Sequence, residues 1–186
     1  MLLFALTSDI EQTTDGAELD NLLRGISGGD RDCLERLYQT TRSSVYSFAL
    51  SILKSHHDAE DVLHDCYVAV WNGAEGYSSH GKPLAWIMTI TRNLCLQRLR
   101  ERKKAEDIPQ EDQEPFLTDA STLTLEDQSI LRSCMEQLSD QERQIVTLHA
   151  VAGFKHREIA ALMELPLSTV LSKYARAIKK LKQYLQ

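Results

Sequence analysis

Apolar residues return along this chain at spacings of three and four, the period of helices that bury one face. Few stretches alternate strictly between apolar and polar, as half-buried strands would. The pattern predicts helices and almost no strand. One runs from about Ala17 to Ser27 and stops at Gly28-Gly29. Asp30 then caps a second helix carrying Leu34, Leu37 and Tyr38, with further helix through Val45, Phe48, Ala49 and Ile52. A third begins at Asp58, with Glu60 and Asp61 in the first turn, where acids favour the helix dipole. Its apolar stripe is Val62, Leu63, Cys66, Tyr67, Val70 and Trp71. After the Gly- and Ser-rich stretch NGAEGYSSHGKP, a long helix from Leu84 to Lys104 turns Trp86, Ile87, Ile90, Leu94 and Leu99 inward.

The next stretch carries Pro109 and Pro115 and no sustained apolar stripe, so it is expected to be a linker. Helical periodicity resumes over Leu125–Leu138, Asp140–Ala152, Lys155–Met163 and Ser168–Leu185. The expected organisation is all-α: a loose segment over 1–17, a helical domain over 18–104, a linker over 105–124 and a second helical domain over 125–186. The last two helices have the form of a helix-turn-helix. Ile159, Ala160 and Met163 face inward from the first, Pro166 prevents simple continuation, and Ser168 is the expected N-cap of the second. That second helix buries Val170, Tyr174, Ala177 or Ile178, Leu181 and Leu185, and presents Thr169, Ser172, Lys173, Arg176, Lys179 and Lys180 on its other side.

Charge changes the picture more than composition does. The net charge of −6 argues against nucleic acid, but its distribution argues the other way. Six basic residues (Arg92, Arg98, Arg100, Arg102, Lys103, Lys104) and one acid lie between Leu84 and Lys104. Eight acids and no Lys or Arg follow between Ala105 and Gln128, and seven basic residues face two acids from Phe154 onward. Two basic helical segments thus flank an acidic one, the footprint of a chain that meets polyanions at two places. Short hydroxyls near the start of the last helix suit base edges, while its Lys and Arg suit phosphates. Tyr77 and His80 lie in the loop before the first basic helix, a surface for unstacked single-stranded bases.

Other chemistries are excluded by what is missing. There is no phosphate-binding Gly-rich loop ending in Lys-Ser/Thr, no G-x-S-x-G and no H-E-x-x-H, so no catalytic constellation is expected. The opening MLLFAL is too short for an export signal core, and no apolar run approaches a membrane span, so the expected location is the cytoplasm without membrane insertion. Cys33, Cys66, Cys95 and Cys134 stand far apart and read as small core residues. His57, Asp61 and His64 fall at i, i+4 and i+7, but capping and the dipole already account for the acids around them, and no further ligand stands nearby at characteristic spacing. No metal or cofactor is expected. The better reading of Asp61 and Asp65, one turn apart beside a strong apolar stripe, is a protein-docking face.

In this order and separation, these elements resemble bacterial RNA polymerase sigma factors of the small extracytoplasmic-function type, which keep only regions 2 and 4. DAEDVLHDCYVAVW resembles the polymerase-binding helix, and KPLAWIMTITRNLCLQRLRERKK the −10 reading helix. LSDQERQIVTLHAVAGFKHREIAALMELPLSTVLSKYARAIKKLKQYL resembles the −35 reading region. The resemblance implies that Asp61, His64 and Asp65 face the clamp helices of the largest subunit of core RNA polymerase. It implies −10 promoter DNA contacts from Tyr77, His80, Lys82, Arg92, Asn93 and Arg98. It implies −35 contacts from Ser168, Thr169, Ser172, Lys173, Arg176 and Lys180, and an anti-sigma factor as a further partner. Glu164 occupies a turn position often held by Gly, where a left-handed backbone costs about 1 kcal/mol. A stand-alone helix-turn-helix regulator is the alternative; it uses the second domain and leaves the acidic docking face and the first basic helix without a role.

Overall fold

The computed structural model describes residues 16–78, 81–105 and 133–184, and within them every regular element is helical. Helix α1 (Gly16–Ser27) buries Leu19, Leu22, Leu23 and Ile26 and ends at Gly29, whose φ of 84° needs no Cβ. Helix α2 (Arg31–Leu53) starts where expected: the Asp30 carboxylate accepts from the backbone N–H groups of Asp32 and Cys33. It runs unbroken to a left-handed Lys54 (φ 57°), whose N–H donates to the Leu50 carbonyl.

Helix α3 (His56–Gly73) begins two residues before the expected Asp58, because Ser55 takes the cap and accepts from the Asp58 N–H. A 3-10 turn (Ala74–Gly76) leads toward helix α4 (Pro83–Ala105), which opens on proline at a position where a missing N–H costs nothing. The buried line of α4 is Ile87, Met88, Thr91 and Cys95, while Trp86, Ile90, Leu94 and Leu99 are only partly buried. Apolar pattern alone missed Thr91 because its polarity is satisfied locally. Its hydroxyl donates to the Ile87 carbonyl and lies 3.4 Å from the Cys66 Sγ of α3. Two small side chains let these helices approach closely.

The second module holds a helical turn at 133–136, then α5 (Asp140–Ala150), α6 (His156–Met163) and α7 (Leu167–Tyr184). Ser139 and Glu142 form a capping box at the start of α5. Arg143, only 7 % exposed, donates to the carbonyls of Met135 and Leu138 and so closes the turn that leads into α5.

The two modules pack on one continuous apolar cluster. Leu37, Val45 and Phe48 of α2 share it with Ile145 and Leu148 of α5, Phe154, and Ile159 of α6. Sequence pattern left the relation between the modules open. The loose segment before residue 16, the acidic linker, the start of the helix expected from Leu125, and His80 lie outside the described residues. All four cysteines are free, and burial pushes the Cys66 thiol up to about 11 and Cys95 to about 12, leaving both inert at neutral pH. No described helix is long and apolar enough to cross a membrane.

Candidate nucleic-acid and protein-docking surfaces

On α3, residues one turn apart gather into one solvent-facing strip. His64 and Asp65 are exposed, and Val68, one turn beyond His64, is 48 % exposed. Asp61 belongs to the same strip but is already engaged: Arg98 of α4 donates to its Oδ2 at 3.0 Å. The expectation put these two residues on different partners, yet the fold pairs them with each other. Arg102, one turn along α4, pairs with the buried Asp58. Acids at the N-terminal end of α3 thus meet cations at the C-terminal end of α4, each favourable to its own helix dipole. His57, Asp58 and Asp61 bring ligand atoms within 4.8 Å of one another, but the two arginines already neutralise both carboxylates, and His64 is not in the group. The cluster is a helix lock.

On α4, Asn93 and Arg100–Lys104 are exposed, forming a basic ridge at the helix end. Arg92 is half-buried and reaches the Glu164 carboxylate at 3.4 Å. Lys82 lies 3.5 Å from Glu158. Tyr77 is half-buried: its hydroxyl donates to Asp20 of α1 at 2.6 Å, and its ring sits 4.8 Å from that of Trp86. Among the described −10 candidates, Asn93 and Lys82 are exposed, and Lys82, Arg92 and Arg98 each face an acid.

The helix-turn-helix forms as expected, with one shift. Helix α7 begins at Leu167, and the N–H groups of Thr169 and Val170 donate to the Pro166 carbonyl. Ser168 therefore lies in the first turn and is not the cap. Glu164 does adopt the left-handed conformation (φ 56°, ψ 42°) and ends α6, its N–H donating to Ala160 and Ala161. Ser168, Ser172 and Arg176 are exposed, and Thr169 and Lys173 are half-exposed on the same helix. Arg176 donates through Nε to the Ser172 carbonyl, which leaves the rest of its guanidinium fork facing outward. Lys180 differs: its Nζ lies 2.7 Å from the Glu142 carboxylate, only 5 % exposed. Lys180 neutralises a buried acid and is a structural cation.

Residues that pattern reading missed cluster around the core of this module. His149 and His156 stack at 4.6 Å, and Tyr174 packs edge-on to both. Nδ1 of His149 lies 2.8 Å from the Phe154 carbonyl, while Nε2 of His156 is buried with no hydrogen-bond partner among the described residues. Burial, then the neighbouring His149, hold the His156 pKa below the ordinary 6.5. Glu142 is also lowered from 4.5: burial opposes its ionisation, but the Lys180 ammonium and the Ser139 donors outweigh it. Both folded values lie below the unfolded ones, so the unfolded chain takes up protons first as pH falls. The stability of this module is expected to be fully present above pH 6.5, to decline below it as His156 resists protonation, and to decline again below 4.5 as Glu142 does. Thermal melts between pH 7.5 and 3.5 check this; His156→Phe should flatten the upper part of the profile, and an unchanged upper part would refute it.

Among the described residues, acids of the second module reach cations of the first at three places: Asp140 to Lys54 at 2.7 Å, Glu158 to Lys82, and Glu164 to Arg92. The two non-glycine residues with positive φ among the described residues, Lys54 and Glu164, both belong to these pairs. Each left-handed helix end points a charged side chain across the junction. The pairs are partly exposed and worth little individually, so the shared apolar cluster carries most of the packing energy.

Comparison with known proteins matches both modules. Residues 37–105 match the model of sigma-70 region 2, and residues 128–181 that of sigma-70 region 4. The ECF RNA polymerase sigma factor SigK of Mycobacterium sp. (strain KMS) is 27 % identical over 188 residues, covering 97 % of each chain. SigK of Mycobacterium tuberculosis (strain ATCC 25177 / H37Ra) is 25 % identical over 176 residues, 91 % of this chain and 94 % of its own. In structure, the RpoE sigma factor of Bartonella quintana, solved with the anti-sigma factor NepR, aligns with a TM-score of 0.68 at 22 % identity, covering 81 % of this chain and 95 % of that one. CnrH, solved with the cytosolic domain of CnrY, aligns at 0.62 and 21 % identity, covering 90 % and 97 %. With both of its modules matched, one carrying the acidic strip and basic ridge and the other the helix-turn-helix, the chain belongs to the sigma-70 family, as an RNA polymerase sigma factor of the ECF group.

Proposed function

We propose that this sigma factor divides its work among three surfaces. The α3 strip of Asp61, His64, Asp65 and Val68 docks core polymerase. Tyr77 and Lys82 on the approach to α4, with Arg92, Asn93 and Arg98 on it, meet the −10 element. The α7 face of Ser168, Thr169, Ser172, Lys173 and Arg176 reads the −35 element in the major groove. The observation that carries this reading is spatial separation. The exposed strip of α3 and the exposed face of α7 lie on different modules, so polymerase and promoter can be held at the same time.

Energetics favour this assignment over a stand-alone regulator. Val68, exposed beside Asp65, suits the apolar centre and charged rim of a protein interface. On α7, short hydroxyls at the helix start and cations further along suit base edges and phosphates respectively. Its Lys173 provides a point charge where Arg would make two planar bonds to guanine, so the base preference there is expected to be looser. An anti-sigma factor is a further expected partner, since both solved relatives above were captured with one or with a partner's cytosolic domain.

The test is transcription by core polymerase supplied with this chain. Arg176→Ala is expected to lower initiation at promoters that depend on their −35 element by about ten-fold, the cost of one guanidinium contact. Equal use of those promoters by variant and wild type would remove α7 Arg176 from the reading. Binding of duplex DNA by the chain alone, with no gain from polymerase, would favour the stand-alone regulator.

A further inference from the structure

We infer that Asp20, on a helix outside both family-model matches, is a positioning residue for the −10 contact surface, holding Tyr77 in place for the promoter strand. The inference rests on the reading of Tyr77 and α4 as that surface. Asp20 is 6 % exposed, and it is a carboxylate on the otherwise apolar buried face of α1, among Leu19, Leu22, Leu23 and Ile26. A buried carboxylate is costly unless something donates to it. The Tyr77 hydroxyl does so at 2.6 Å, short enough to be a charge-assisted bond. Tyr77 immediately follows the 3-10 turn (Ala74–Gly76), so this bond ties the start of the loop to α1.

The other end of the same loop meets the same helix. A Cβ on Gly16 would lie 3.8 Å from the Gly81 carbonyl oxygen and 3.9 Å from the Pro83 Cδ, so the N-terminus of α1 rests against the residues that lead into α4. Behind Tyr77, the Trp86 ring lies at 4.8 Å and itself packs against Gly73, where an added Cβ would be 3.5 Å from the indole. The phenol is thus fixed by its hydroxyl on one side and its ring on the other. An aromatic ring held this way costs little entropy to present to a base, and a loosened one costs more.

The test uses holoenzyme, the chain bound to core polymerase, and a fluorescent single-stranded oligonucleotide enriched from a random pool on the wild type. Asp20→Ala and Tyr77→Phe are each expected to weaken its binding about ten-fold, the effect of losing one charge-assisted hydrogen bond. The double variant should be no weaker than either single one, because both remove the same bond. Asp20→Asn keeps an acceptor and should stay within about two-fold of wild type. Tyr77→Phe keeps the ring's packing and removes only the hydroxyl, so its loss of binding separates the bond from packing. Polymerase affinity and thermal midpoint, measured alongside, separate positioning from unfolding. If Asp20→Ala fails to fold, the comparison of Tyr77→Phe with Asp20→Asn carries the same decision. Wild-type binding in Tyr77→Phe, or equal loss in Asp20→Asn and Asp20→Ala at unchanged stability, overturns the inference. Failure of wild-type holoenzyme to capture any single strand overturns the −10 reading itself, and this inference with it.

Discussion

Replacing Asp65 by Arg and Val68 by Asp together is expected to weaken the affinity for core polymerase about a hundred-fold while leaving the thermal midpoint unchanged. Both side chains are exposed, so neither contributes packing that folding would miss. An apolar side chain at the centre of a docking face, ringed by charge, is where truncation costs most, and reversing the adjacent charge adds repulsion. Asp61→Ala alone is a poorer probe, because its carboxylate is shared with Arg98 and its loss releases a cation toward the −10 surface. Titration of labelled chain into core polymerase checks the prediction. Affinity within two-fold of wild type would remove the α3 strip from the interface.

The second large effect is a change of shape. In the structure the modules touch, with Glu164 at 3.4 Å from Arg92 and Glu158 at 3.5 Å from Lys82. Two promoter elements two helical turns apart are separated by roughly 70 Å of DNA. Both cannot be read while the modules share one core. On the proposed reading, Glu158 and Glu164 occupy Lys82 and Arg92 in place of phosphates, so promoter engagement is expected to break these pairs and divide the apolar cluster. The ion pairs are partly exposed and add little to the cost of opening, which falls mainly on the shared apolar cluster. Dyes on α3 and α7 are expected to move apart by tens of Å, on the order of the element spacing, when polymerase and promoter bind. A roughly 20-residue linker reaches at most ~70 Å, which is sufficient. A distance that does not change on promoter binding would contradict the opening.

Much of this architecture was legible in the residues because helix signals are local. Asp30 caps α2 as its chemistry requires, Gly29 takes a positive φ, and the stripe of α3 buries Val62, Cys66, Tyr67 and Val70. Starts were less legible wherever two cap residues compete: Ser55 took α3 from Asp58, and Pro166 left Ser168 inside α7. The predicted inward residues of α4 do pack against the core, but the fully buried line also takes Met88, Cys95 and Thr91, the last missed because its hydroxyl is satisfied one turn back. Site residues were legible as types but not as partners. Nothing in spacing says that Arg98 will take Asp61, that Lys180 will serve the buried Glu142, or that Glu164 will reach Arg92, since each pair joins positions far apart in the chain. Val68 fell outside the predicted stripe, but its use as an exposed apolar contact was not legible from pattern alone.

That one chain grips two separate stretches of promoter while bound to polymerase is tested most directly by site-specific crosslinking. Photoreactive groups at Asn93 on α4 and at Thr169 on α7 would be activated in the complex of chain, core polymerase and promoter. The account predicts crosslinks at two patches about two helical turns of DNA apart, both appearing only when polymerase is present. Crosslinks from both positions to one patch, or an identical pattern without polymerase, would contradict it.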